Sequence, residues 1–266
     1  MNIAILWAFI ATIGTWLLTA LGAATVLFLK APKQSVLNLM LGFSSGVMIA
    51  ASFWSLLQPA IERAELTLKT PSYIVVTGGF IFGAIFIWLS DKAVSYAFKK
   101  ANLDNINAHS KINRAIMLIL SITLHNIPEG LAVGVAFGLL KQNYTSSALM
   151  GAISIAIGIG LQNFPEGAAV SLPLRREGCS RKKSFFYGQL SAIVEPIAGV
   201  VGAVLVSTIE TILPFALSFA AGAMIIVAVH ELIPECQQNK SDQPYTATMG
   251  IITGFAVMML LDVMLG

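Results

Sequence analysis

The chain is 266 residues long, 56% hydrophobic and 11% charged, with sixteen Lys and Arg against thirteen Asp and Glu for a formal net charge of +3. A soluble globular chain carries about 25% charged residues, so this composition excludes an ordinary soluble enzyme or binding module. The mean hydropathy of +0.81 points instead to an all-α integral membrane protein.

Eight apolar runs follow one another, at roughly 4–29, 35–59, 71–90, 115–140, 146–173, 184–208, 212–233 and 246–265. Each has the roughly 20 residues a helix needs to cross hydrocarbon. The expectation is an eight-helix transmembrane bundle, a single polytopic domain over 1–266 embedded in a lipid bilayer. The first run begins Met1-Asn2-Ile3-Ala4-Ile5-Leu6 with no basic segment before it, so it reads as a retained span and not a cleaved signal peptide. The second carries Met48 at mid-depth, either core filler or a soft ligand, and Ser55 two turns further outward. The third has Gly79 and Gly83 at the spacing that lets helices pack closely, and its inner end carries Asp91.

The fourth and fifth runs carry two copies of one pattern, His125-Asn126-Ile127-Pro128-Glu129-Gly130 and Gln162-Asn163-Phe164-Pro165-Glu166-Gly167. The sixth places Glu195 just before Pro196. The seventh ends in His230-Glu231-Leu232-Ile233-Pro234-Glu235, which lacks the second histidine of the H-E-x-x-H metalloprotease motif. The eighth repeats the glycine spacing at Gly250 and Gly254.

Basic residues are distributed unevenly over the gaps between runs. The first, third, fifth and seventh gaps hold Lys30, Lys33, Lys92, Lys99, Lys100, Lys111, Arg114, Arg175, Arg176, Arg181, Lys182, Lys183 and Lys240. The remaining gaps hold Arg63, Lys69 and Lys141. Short cytoplasmic loops are the ones enriched in Lys and Arg. Odd-numbered loops are therefore expected in the cytoplasm and both termini outside, in a plasma membrane such as the bacterial inner membrane. Because the basic residues only flank spans, they form no nucleic-acid surface. Cys179 and Cys236 fall in predicted cytoplasmic segments and are expected to be free thiols.

Self-comparison exposes a repeat. Leu41 to Ile49 aligns with Leu217 to Ile225 at an offset of 176, and Gly79, Gly83, Leu89 and Asp91 align with Gly250, Gly254, Leu260 and Asp262. Under the charge-derived topology the related spans run in opposite directions. This predicts an inverted repeat of spans 1–3 against 6–8 around central spans 4 and 5, an architecture of alternating-access transporters with a midplane substrate site.

Residues four apart share a helix face, so His125 stacks over Glu129 and Gln162 over Glu166. Pro128 and Pro165 lack an N–H and free the carbonyls of Leu124 and Leu161, which must then face a wet or ion-filled cavity. An ionisable residue inside a span costs at least about 2.5 kcal/mol. Glu129, Glu166 and Glu195 cannot all carry charge without compensation, and these spans contain no Lys or Arg. A divalent cation or protons must supply it. His125, Glu129, Glu166 and Glu195, with Gln162, Asn126 and Asn163 as neutral oxygen donors, form a candidate cation cage. Imidazole and carboxylate suit Zn²⁺ and other first-row divalent ions. Glu195 reads alternatively as a proton relay. Asp91, His230 and Glu231 lie at similar depth, as an exit relay or as helix-end residues facing water.

These paired motifs, with Val194-Glu195-Pro196-Ile197-Ala198-Gly199, resemble the ZIP (Zrt/Irt-like) metal transporters, specifically the GufA-like branch. The resemblance covers essentially the whole chain. It implies eight spans with outside termini and a binuclear site, with His125, Glu129, Gln162 and Glu166 at one position and Asn126, Glu129, Asn163, Glu166 and Glu195 at the other. It further implies that Met48 is a ligand, that Ser55 lies on the way in, and that Asp91, His230 and Glu231 lie on the way out. Members are thought to slide spans one, four, five and six against two, three, seven and eight, often as homodimers.

Two departures stand out. Asn163 replaces an aspartate found in some relatives, so the second position has one charge fewer and is expected to be weak. The loop between spans three and four, often histidine-rich in the family, holds only His109.

The function expected is a non-enzymatic transporter that carries Zn²⁺ into the cytoplasm, with Cd²⁺, Mn²⁺, Fe²⁺ or Cu²⁺ also compatible with the mixed ligand set. A single midplane histidine argues against an intramembrane hydrolase, whose zinc needs three protein ligands and an open position. The His, Gln and Asn donors argue against a carrier of organic solutes.

Overall fold

A computed structural model describes residues 3–28, 34–100, 109–141, 144–176, 178–237 and 245–265. Lys30, Lys33 and Lys240, and the loop 101–108, lie outside the described residues. The described chain forms eight long helices: α1 (Ile3–Phe28), α2 (Gln34–Thr67), α3 (Ser72–Lys100), α4 (His109–Gly138), α5 (Ser146–Arg176), α6 (Arg181–Thr208), α7 (Leu213–Cys236) and α8 (Thr246–Leu265). Seven of them are long and apolar enough to cross a membrane, and α4, of 30 residues, packs among them. The protein is an all-α, multi-pass membrane bundle. Helix α2 runs eight residues and α3 ten residues past the predicted spans, because charged ends such as Lys92 let a helix continue into the interface.

Two four-helix groups can be distinguished by their packing. Helices α1, α4, α5 and α6 pack on one another, while α2 pairs with α8 and α3 pairs with α7. Lipid provides no hydrophobic drive for helix association, so close backbone approach has to hold these pairs together. Glycine supplies that approach. A Cβ at Gly46 would overlap the Ile251 carbonyl, and one at its repeat counterpart Gly222 would overlap the Phe80 carbonyl. Gly254 against Phe43 and Gly83 against Phe219 form a second repeat-related pair, and Gly250 against Leu39 and Gly79 against Phe215 a third. The inverted repeat therefore holds at the level of individual backbone contacts.

It also holds in a detail the residue pattern does not announce. Helix α2 is π-helical over Ser52–Leu57 and α7 over Ala228–Leu232, with starts separated by the same 176 positions. A π-turn inserts an extra residue per turn and commonly marks a functional site. Helix α6 is interrupted over residues 191–193, so that Glu195 falls in the first turn of the segment Val194–Thr208. Pro128, Pro165 and Pro173 lie inside α4 and α5.

Overpacking a tight contact costs about 1–3 kcal/mol. Gly83→Ala should therefore lower the melting temperature of the purified protein by several degrees. Gly78→Ala, on the same helix with nothing within 4 Å of the added carbon, should leave it unchanged or slightly raised. A thermal scan of both variants in one detergent decides this.

Candidate metal site

Helices α4, α5 and α6 bring the three predicted carboxylates together at the centre of the bundle. Glu129 and Glu195 are fully buried and Glu166 is 6% exposed. They lie close enough to repel one another, and no Lys or Arg is buried among the described residues. Gln162 Nε2 donates to Glu129 Oε1 at 2.6 Å. The Ser44 hydroxyl, reaching from α2, donates to Glu166 Oε1. Asn163 Nδ2 lies 2.9 Å from both oxygens of Glu195, and the Thr15 hydroxyl of α1 also donates to Glu195.

Three acceptors remain without a hydrogen-bond partner: Glu129 Oε2, Gln162 Oε1 and Asn163 Oδ1. A buried polar atom left unpaired costs about 1–3 kcal/mol. Oxygen acceptors orphaned next to uncompensated carboxylates make chemical sense around a cation, which accepts several such oxygens at once.

His125 also reaches across to α7. Its Nε2 is 2.7 Å from Glu231 Oε1 of α7, and the ligand atoms of Asp91, His125 and Glu231 all lie within 4.8 Å of one another. His125 and Glu166 line a cavity of about 540 Å³ together with Gln34, Pro173, His230 and Glu231. Its lining residues Gln34, Pro173, Pro234 and Glu235 lie near the start of α2 and the ends of α5 and α7. Glu129, Gln162, Asn163 and Glu195 lie behind the cavity. His230 is exposed there.

A second cavity, of about 530 Å³, lies toward the other side and is lined by Ser55, Gln58, Glu62, Ala136, Leu217 and Asp262, among others. Asp262 Oδ1 accepts from Ser55 at 2.6 Å and from Ser154 at 3.2 Å. The repeat relates this contact to the one opposite: Ser55 corresponds to Glu231, and Asp262 to Asp91. Met48 is fully buried in the apolar cluster that also contains Met224, its repeat counterpart. Neither Cys179 nor Cys236 is in a disulfide, and the Cys236 thiol donates to the Ile233 carbonyl at 3.2 Å.

Four polar residues at these sites escape a reading of the chain alone: Thr15, Ser44, Ser154 and, as more than a repeat match, Asp262. Each is a hydroxyl or carboxyl group inside an apolar run. The signal available for Asp262 is the repeat itself, which pairs it with Asp91. The three hydroxyls carry no comparable mark.

Comparison with known proteins agrees with this architecture. The family described as ZIP Zinc transporter matches residues 3–113 and 100–262. The chain is 39% identical to Zinc transporter ZIP11 of Xenopus tropicalis, covering 98% of both proteins, and 37% identical to Zinc transporter ZIP11 of Homo sapiens, covering 97% of both. It is 33% identical to Zinc transporter GufA of Myxococcus xanthus over 93% of this chain and 94% of that protein. With nearly the whole chain matched, an eight-helix bundle built on an inverted repeat and the paired Pro-Glu-Gly helices at its centre, the chain belongs to the ZIP zinc transporter family.

Proposed function

We propose that the chain carries Zn²⁺, and with it other divalent ions such as Cd²⁺, Mn²⁺, Fe²⁺ and Cu²⁺, across a plasma membrane into the cytoplasm by alternating access. The observation that carries this reading is the enclosed cluster of orphaned oxygens on Glu129 and Gln162 beside carboxylates that no buried Lys or Arg compensates. A cation satisfies all of them at once, and leaving them empty is costly on both counts. The names of the relatives, zinc transporters throughout those given above, support zinc as the substrate.

Direction rests on two features. The cavity that reaches His125 and Glu166 opens toward the loops richest in Lys and Arg, the cytoplasmic side by the positive-inside rule, which puts both termini outside. His125 stands between the central carboxylates and Glu231, so one imidazole can serve first the midplane position and then the exit. An ion held by His125, Glu129, Gln162 and Glu166 passes to Asp91 and Glu231 as His125 turns, and His230 is exposed in the same cavity beyond them. On the opposite side Ser55 and Asp262 line the inlet. Polar contacts join the two four-helix groups, among them Ser44 to Glu166, His125 to Glu231, and Asp262 to Ser154. The groups move against each other by exchanging such contacts, exposing the ion to one side and then the other.

The test is zinc uptake into sealed proteoliposomes. Glu129→Ala and Glu166→Ala should both reduce it to the level of empty vesicles, and undiminished uptake in both variants would falsify the reading. Glu231→Gln should retain binding but slow the maximal rate, because it weakens the exit and leaves the midplane ligands in place. Saturating Zn²⁺ at about 100 times its dissociation constant adds roughly 2.7 kcal/mol of stability. The wild-type protein should accordingly melt several degrees higher with zinc, and Glu129→Ala should lose that increment.

A further inference from the structure

Helix α6 breaks over residues 191–193, just before Pro196, whose ring would clash with the Ala192 carbonyl of a continuous helix. The turn tightens instead. Ile193 N–H bonds the Leu190 carbonyl at 3.2 Å and Glu195 N–H the Ala192 carbonyl at 3.0 Å, each three residues back where an α-helix uses four. The carbonyls of Gln189 and Ser191, their acceptors in a regular helix, are thereby released. Inside hydrocarbon a released carbonyl has to find another donor. Asn126 Nδ2 of α4 donates to Ser191 at 3.0 Å, and the Trp16 indole N–H of α1 donates to Gln189 at 3.0 Å.

The inverted repeat shows which of these features belong to the break. Asn163 Nδ2 reaches the Thr15 carbonyl on α1 at 3.3 Å, and Thr15 and Ser191 are separated by the repeat offset of 176. The asparagine staple is therefore made twice, once on a broken helix and once on α1, which runs unbroken from Ile3 to Phe28. At the same offset Ala20 stands for Pro196, Thr19 for Glu195, and Ala192 for Trp16. Proline, carboxylate and indole donor thus occur once each, and together. Trp16 lies at the middle of α1 and is half-buried, away from the interfacial belts where transmembrane Trp is enriched. A buried indole N–H needs a partner, and this one has the carbonyl that the break releases.

The break ends beside Glu195, so its geometry sets where that carboxylate stands. A Cβ at Gly130 of α4 would overlap the Glu195 carbonyl, and the side chain accepts from Thr15 and Asn163. We propose that Trp16 is a positioning residue: its indole N–H holds the tightened turn of α6 and so presents the Glu195 carboxylate to the central cation site. This rests on the transporter reading above and extends it to a carboxylate and an indole that the ion's route given there does not use.

Zinc dissociation constants, measured by equilibrium dialysis of the purified full chain, test this. Trp16→Phe keeps an aromatic ring and removes the N–H. It should weaken zinc binding about tenfold, the lower end of the loss when a group that orients a metal ligand is removed. Glu195→Gln should weaken it at least as much, and the double variant should bind as Glu195→Gln alone does. An indole that merely packs would lower the melting temperature and weaken zinc by one factor in both backgrounds, which overturns the proposal. Wild-type affinity in Trp16→Phe or in Glu195→Gln overturns it too. Pro196→Ala restores the N–H and lets α6 close over its own carbonyls, so it should weaken zinc without lowering the melting temperature. Wild-type affinity in that variant overturns the proposal even if Trp16→Phe does not fold. No zinc on the wild type would overturn the transporter reading as well.

Discussion

Negative charge buried without a buried positive partner is the constraint on which the rest of this structure depends. Glu129, Glu166 and Glu195 meet at the middle of a bundle that buries no Lys or Arg among its described residues. Such a cluster costs several kcal/mol in a membrane, and the surrounding structure distributes that cost unequally. Glu195 is engaged by Thr15 and Asn163, and Glu166 shares a hydrogen bond with Ser44, whereas Glu129 keeps one oxygen unpaired. Glu129, fully buried with Gln162 as its donor and its second oxygen unpaired, is the carboxylate with the most to gain from a cation.

The inverted repeat supplies a nearly symmetric frame, and chemistry enters where the symmetry is broken. Glycine contacts, π-turns and asparagine staples recur on both sides at fixed offsets. Equivalences that carry different side chains include His125 against Gln162, Glu195 against Thr19, Glu231 against Ser55, and Asn38 against Pro214. The first three lie at or beside the central site. They put imidazole and an extra carboxylate on the side of one cavity and a serine hydroxyl on the other, so the two ends of the pathway grip an ion differently although their backbones match.

Much of the bundle was legible from the chain. Span number followed from apolar length and from the alternation of Lys and Arg, and the α2–α7 relation followed from a glycine register that packing forces both copies to keep. The α1–α6 relation could only be extended from the other pairs, with no residue match of its own, because Thr19 and Glu195 look nothing alike. The π-turns were invisible for a different reason: an extra residue in a turn leaves no mark on apolar composition. Thr15 and Ser44 were missed because hydroxyls in apolar helices usually bond a carbonyl one turn back, as Thr12 does to Ala8 at 2.8 Å. Nothing in the residue type says which of them reach across to a carboxylate. The contact of His125 with Glu231 left no mark on the chain either, because it joins helices more than a hundred residues apart.

X-ray absorption at the zinc edge, on the full chain loaded with one equivalent of Zn²⁺, tests the central claim most directly. The structure predicts a mixed shell with imidazole nitrogen and several oxygens. The imidazole contribution should vanish in His125→Ala, and bound zinc should be lost in Glu129→Ala. A zinc spectrum unchanged by both substitutions would place the ion elsewhere and contradict the account.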